Sequence, residues 1–469
     1  MIFVICPNFE RVKHTVIIAL IALAIIAWSR DHFFFWDTVQ LTSKHAHWFF
    51  EHDFRYFFLP EAYDSGHPPF WGMYHALLWK LFGKRLIVSH LGIFPFLFGG
   101  LYFMYRNAYE WTKDNAWSLA AVLLLVADPV YLTQATLVSP DIALVCFFLM
   151  AVYGLHTDRR PMVAIASIGL AWISLRGMMS LAGLALFVLW QYGRRDGWRR
   201  LVALLPGAAA GIAFLTAHYL HSRWIGFHAD SPWSPSFALV DIKGFFKNII
   251  VWVWRMTDFG RVFLWLLLAA MAIRYRQVVR HPYWKLAAAT GAVLLGPFLL
   301  FKGLNGMRYL LPVFITIDLI FLTAVFRLRE AGYPRRLAVW LVALVALVSG
   351  HSWRYPPGIS VSWDTTLRHA PYYTLRRKML RYMDAHHIPL EKTATAFPNT
   401  ASREIIDLDG RKEAMTTMDD PRAEYYFISN IYNDIKHQIP LIERRDSLAA
   451  SYARGGIYVK LYRRKHRTD

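Results

Sequence analysis

The sequence predicts an all-α polytopic membrane protein followed by a small C-terminal α/β soluble domain. Three observations carry this. Of the 469 residues, 56% are hydrophobic, 16% aromatic and only 18% charged, with a mean hydropathy of +0.29. That is more apolar surface than a soluble core can hide. Apolar runs close to the length of a bilayer crossing recur along residues 1–349. After that the pattern changes, and residues 350–469 mix charge with short alternating stretches. The net charge of +20 raises nucleic acid as a partner, but no nucleic-acid-binding motif accompanies it. Loop charge facing an anionic leaflet accounts for it better. Two cysteines, Cys6 and Cys146, exclude a disulfide framework and a cysteine-based zinc site.

The elements follow in order. After Arg11 and Lys13, HTVIIALIALAIIAW is long enough to cross a bilayer, and no small-x-small cleavage site follows it, so it reads as a retained anchor. Further apolar runs at 86–105, 117–131, 139–155, 161–175, 177–191, 201–220, 259–273, 286–301, 308–326 and 337–349 bring the expected transmembrane helices to about eleven. HTDRRP (156–161), QYGRRDGWRR (191–200), RYRQVVRHPYWK (274–285) and RLREAGYPRR (327–336) are short, positive and fall in alternate connections. They read as cytoplasmic. The other connections are then external: 30–85, the turn from Asp128 to Asp141, the bend at Arg176, 221–258, KGLNGMR (302–308) and the C-terminal domain. SWRYPPGIS (352–360) reads as the linker to that domain, because its prolines cannot continue a helix. Within the domain TLRRKMLRYMDAHH reads as an amphipathic helix, and AEYYFISN and GIYVKLYRR alternate as strands do.

The first external loop, 30–85, is too aromatic to be disordered and too long to be a plain connection. TVQLTSKHAHWFFEH and FWGMYHALLWKLFG read as helices in the membrane interface. In DSGHPPFW (64–71) the two prolines are expected in the first turn of the second of these, setting His67 at the membrane surface. Asp128, in ADPVYL, reads as a loop residue.

Four stretches occur in order over residues 13–326: WDTVQ after the first span, GHPPFWGMYHALLWKLFG before the second, SPDIALVCFFLMAVYGL and MRYLLPVF. Together they resemble the GT-C type multi-span glycosyltransferases of the protein O-mannosyltransferase and aminoarabinose transferase superfamily. The chain departs from that pattern at Thr38, where the family often has Glu after Asp, and at His67, where bacterial members often have Lys.

The resemblance implies inverting transfer of a hexosyl or pentosyl group. The donor is a polyprenyl-phosphate sugar and the acceptor a hydroxyl of a lipid, glycan or protein. The site faces outward, on the periplasmic side of a bacterial inner membrane. A phosphate leaves without a general acid, so such a site needs a carboxylate to take the acceptor's proton and cations to hold the phosphate. The resemblance places Asp37 and Asp141 in the catalytic role, although Asp141, after Ser139 and Pro140, is also a good helix start. His67, Arg308, Arg176, Arg55 and Lys302 are the candidates for the lipid phosphate, with snorkelling to headgroups as the alternative for the cations.

No cofactor is implied. A divalent metal on His45, His47, His52, Asp53 and His67 is set aside, because His45 and His47 do not share a helical face. Two other functions compete. One is a transporter or flippase of lipid-linked glycans, against which the chain shows no internal repeat and gathers its ionisable residues outside the first span. The other is a non-catalytic envelope scaffold.

Overall fold

The computed structural model describes residues 7–228, 234–328, 335–355, 363–432 and 434–465. Helix α1 (Pro7–Ser29) carries the first apolar run, and the first loop supplies α2 (His45–Glu51) and α3 (Phe70–Phe82). The body continues with α4 (Leu86–Gly92), α5 (Phe94–Thr112), α6 (Asn115–Ala127), α7 (Pro129–Ala135), α8 (Pro140–His156), α9 (Arg160–Ile173), α10 (Leu175–Gln191) and α11 (Arg194–Ser222). It ends with α12 (Ile242–Thr257), α13 (Arg261–Arg274), α14 (Tyr283–Leu300), α15 (Leu311–Arg327) and α16 (Arg336–Ser349).

Each expected apolar run is helical. By length and composition five units among the described residues, 12–29, 86–112, 194–222, 283–300 and 307–327, qualify as membrane crossings. Two bent pairs, α6 with α7 at 77° and α12 with α13 at 82°, raise the number to seven, and α8, α9, α10 and α16 are apolar but shorter. Helices α8 and α15 are buried almost all round, as central helices apolar on every face should be.

The bends have local causes. Pro129 has no N–H to continue α6, and Asp128 caps the new helix by accepting the N–H groups of Val130 and Tyr131 (2.9 and 3.1 Å). Asp128 is therefore a buried cap and not a plain loop residue. The second bend turns through Phe259 (φ +51°) and Gly260 (φ +87°), where a Cβ on the glycine would stand 2.0 Å from the Ala346 carbonyl oxygen. The segment 221–258, expected as a connection, holds the amphipathic helix α12. Ile242, Phe246, Ile250 and Val253 are exposed along one stripe, while Asn248 donates to the carbonyls of Leu299 and Phe301.

The first loop also differs from expectation. Residues 39–44 form a π-helical turn leading into α2, and α3 packs so closely on α2 that a Cβ at Gly72 would lie 2.4 Å from that of His45. Pro69 is the N-cap of α3, so both prolines precede the helix. Trp71, His75 and Trp79 face the protein, and Leu77, Leu81 and Phe82 face outward. The expected interfacial tryptophans are thus core residues, with their N–H groups bonded to Thr42 and to Ser89.

The C-terminal region contains α17 (Pro371–Ala385), β1 (Thr393–Thr395), α18 (Arg403–Asp407), β2 (Thr416–Thr417), β3 (Tyr425–Ser429), α19 (Ile439–Arg445), β4 (Ser447–Arg454) and β5 (Ile457–Arg463). The sheet order is β2-β1-β3-β5-β4, with β1 parallel to both neighbours and the β3-β5-β4 ladder antiparallel. The expected helix and both expected strands are present. Of the linker, residues 356–360 lie outside the described residues. The domain docks on the string FFFW: Phe33, Phe34 and Phe35 are buried, the Phe34 N–H donates to the Ile406 carbonyl (3.0 Å), and Phe35 stacks on His369 (4.8 Å).

Candidate active site

The two candidate acids each follow a residue held in the left-handed region. Asp37 follows Trp36, whose φ is +49°. Asp141 follows Val138-Ser139-Pro140, and Val138 has φ +53°. A β-branched residue rarely enters the left-handed region, and such strain persists only where surroundings enforce it. Here Thr42 and Trp71 both donate to the Val138 carbonyl (3.1 and 3.2 Å). Ser139 caps α8 by accepting the Asp141 N–H (3.2 Å), as expected for a helix start. Arg176 lies in the first turn of α10, capped by Ser174, and Arg308 lies in a 3₁₀ turn, Met307–Leu310, leading into α15.

These residues converge. The buried guanidinium of Arg308 pairs with Asp37 through Nη2, with Asp141 through Nη1 (3.5 Å) and with Asp364 through Nε (3.2 Å). Arg176 pairs with the other oxygen of Asp141 (2.6 Å). The ring of Tyr309 lies under both guanidinium groups, 4.6 Å from that of Arg176 and 5.4 Å from that of Arg308. Asp141 is clamped between two arginines with its side chain 2% exposed, whereas Asp37 is 28% exposed. Asp141 therefore sits at a helix start and in the arginine cluster at once.

His67 does not sit at a membrane surface. It is half-buried in a narrow cleft with Pro140 and Arg176, and its Nδ1 accepts the Leu175 N–H (3.3 Å). Burial, and then the charge of Arg176, push its pKa down to about 3. That direction favours the neutral ring, so in this setting His67 meets a phosphate as a hydrogen-bonding group rather than as a charge. The string DSGHPPFW makes a structural connection: Asp64 accepts the Gly66 N–H (2.8 Å) and pairs with His218 of α11 (2.8 Å). Gly66, at φ +70°, stands where a Cβ would meet the Gly226 carbonyl at 2.3 Å. The string is a staple between the first loop and α11.

Arg55 and Lys302 are exposed, and no ion pair joins either to the cluster. Sequence reasoning missed three participants. Asp364 comes from beyond the helical body, and its carbonyl accepts from Gln134 (2.7 Å). Burial raises its pKa, opposed by Arg308. Tyr309 adjoins Arg308 in a motif already noticed. Arg255, at the end of α12, is buried and pairs with Asp258 (3.9 Å); its Nε has no hydrogen-bond partner among the described residues, and it is close enough to Asp364 for their charges to interact. A separate buried pair, Asp128 with Arg261 (2.5 and 2.6 Å), braces α7 against α13.

The crystal structure of ArnT from Cupriavidus metallidurans bound to undecaprenyl phosphate superposes with a TM-score of 0.52 over 95% of this chain and 97% of that one, at 14% identity. The chain has the GT-C fold of ArnT. The apo ArnT structure gives 0.49 at 13% identity, with the same coverage. No protein-family model and no curated protein sequence matches. The GT-C fold and the apolar helices together make the chain an integral membrane protein. In this GT-C fold the cluster joins the first loop after α1, the starts of α8, α10 and α15, and Asp364 just ahead of α17. Chemically it offers two partly exposed carboxylates, Asp37 (28%) and Asp364 (21%), held in place beside guanidinium groups able to meet an anion.

Proposed function

We propose that this chain is a membrane glycosyltransferase that moves a hexosyl or pentosyl group from a polyprenyl-phosphate donor to an acceptor hydroxyl, by inverting single displacement at the external, periplasmic face. The observation that carries this reading is Arg308, held at once by Asp37, Asp141 and Asp364. The similarity of fold to a protein crystallised with undecaprenyl phosphate supports a lipid-phosphate carrier.

In this reading Asp37, the most exposed acid of the three, takes the acceptor's proton as the sugar–phosphate bond breaks. Asp141 is a positioning residue, because a carboxylate clamped by two arginines is a poor base. Three carboxylates against Arg176 and Arg308 leave the cluster with an excess negative charge, so the donor phosphate needs further cations or must draw an arginine away from an acid. Arg255, with its unpaired N–H, suits the first route, and Arg176, at the cleft edge beside His67, suits the second. The region from residue 350 onward is joined to the cluster through Asp364, which pairs with Arg308.

The test is consumption of a lipid-linked sugar by the purified chain in proteoliposomes supplied with lipid, glycan and peptide hydroxyl acceptors. An enzyme consumes the donor and yields the free polyprenyl phosphate. Relocation of intact donor would make the chain a flippase, and neither outcome would leave a scaffold.

A further inference from the structure

A second constellation lies away from the arginine cluster, where α2 meets α18. His47 is 5% exposed, with its ring edge-on to Trp79 (5.0 Å). Its Nδ1 lies 2.8 Å from the Ser43 carbonyl oxygen, so the ring N–H donates there and Nε2 carries the lone pair. That Nε2 is buried and has no hydrogen-bond partner among the described residues. Glu51, one turn further along α2, and Glu404, in the first turn of α18, each bring a carboxylate oxygen. The three atoms lie within 4.8 Å of one another, on the wall of a cavity between the first loop and the C-terminal domain.

We propose that His47 Nε2, Glu51 and Glu404 bind a divalent transition metal of the Zn²⁺ type, with water in the fourth position, and that the ion fastens the C-terminal domain to the first loop. An imidazole whose other nitrogen donates to a backbone carbonyl has the tautomer and orientation a metal ligand needs. One imidazole and two carboxylates form a donor set that suits Zn²⁺ better than the oxygen-only sets of Mg²⁺ or Ca²⁺. Ligand atoms about 2.1 Å from one tetrahedral ion stand about 3.5 Å apart, so closure needs a small side-chain movement that exposed Glu51 can make. The expectation that this histidine-rich loop binds no metal rested on His45 and His47. The spacing that matters is His47 to Glu51, with the third ligand supplied from far along the chain.

Lys84 pairs with Glu404 and, with Lys44 and Lys412 nearby, opposes a cation. That competition supplies a discriminating test. The full-length protein in detergent is titrated with Co²⁺, read by visible absorption, and with Zn²⁺, read by metal analysis after buffer exchange and by melting temperature. The expected result is one ion per chain, the intense bands of tetrahedral Co²⁺ and a higher melting temperature. Glu51→Gln, at an exposed position that leaves packing intact, should weaken affinity by about 100-fold, at or beyond the upper end of outer-shell changes. Lys84→Met, which frees Glu404, should tighten it. No saturable binding, or binding equal in wild type and Glu51→Gln, overturns the site. The readout does not depend on transferase activity, so its failure would leave the proposed function standing.

Discussion

Arg308 holds three carboxylates from three distant parts of the chain, and this decides how its variants behave. Arg308→Ala strands Asp37, Asp141 and Asp364 in a largely dry site, where removing one partner of a buried pair costs about 3–5 kcal/mol. We expect a strong drop in melting temperature together with lost donor use. Arg308→Lys keeps the charge as a point rather than a fork, so it should fold but turn over poorly. Asp37→Asn keeps the shape and removes the base. Turnover should fall by roughly 10²–10⁴-fold with donor binding retained, and a folded variant with wild-type turnover would remove Asp37 from the mechanism. Asp141→Asn leaves Arg176 and Arg308 facing each other across a neutral amide. It should therefore cost both stability and rate, more than the roughly 1 kcal/mol of a surface helix-start acid, as melting and single-turnover measurements would show.

At the scale of elements, the first loop is a stapled unit and not a pair of helices resting on lipid. Its turn depends on Gly66, where positive φ and the approach of Gly226 both exclude a side chain. Gly66→Ala should destabilise by at least about 1–2 kcal/mol from backbone strain alone. If melting is unchanged, the staple is not rigid. The helix starts were legible beforehand because capping is local: Ser139-Pro140-Asp141 announces α8 in three residues. The roles of Trp71, His75 and Trp79 were not legible, because a Trp-rich amphipathic helix has the same pattern whether its aromatic face meets headgroups or another helix. Contact with α2 and with the Val138 carbonyl settles which.

At the scale of the whole molecule, the C-terminal domain rests on the first loop through stacked aromatics and neutral histidines. Burial, helped at His32 by the charges of His90, His369 and Arg377, lowers the pKa of His32 to about 3, and burial lowers those of His369 and His47 to about 4, from an ordinary 6.5. As pH falls, the unfolded chain therefore takes up protons that the folded one refuses. The stability these groups contribute is complete above pH 6.5 and is lost as pH falls toward 3–4. Melting temperature in detergent should decline through that window, and the decline should shrink in His369→Phe, which retains the stack on Phe35. A pH-independent melting temperature would show that the histidines stay protonated on docking.

The sequence by itself determined the membrane class, the helical character of each apolar run, the C-terminal mixed sheet and four of the residues that converge: Asp37, Asp141, Arg176 and Arg308. These are properties of hydropathy, periodicity and local spacing, which need no knowledge of the fold. Tertiary structure alone decided that Asp364 joins Arg308, that Arg255 is buried within reach of the Asp364 charge, that Arg55 and Lys302 stay exposed, and that His67 is enclosed in a cleft beside Arg176. Those outcomes depend on which surfaces pack together, and therefore on distance and desolvation between residues far apart in the chain. No pattern along the sequence encodes how dry a side chain will be.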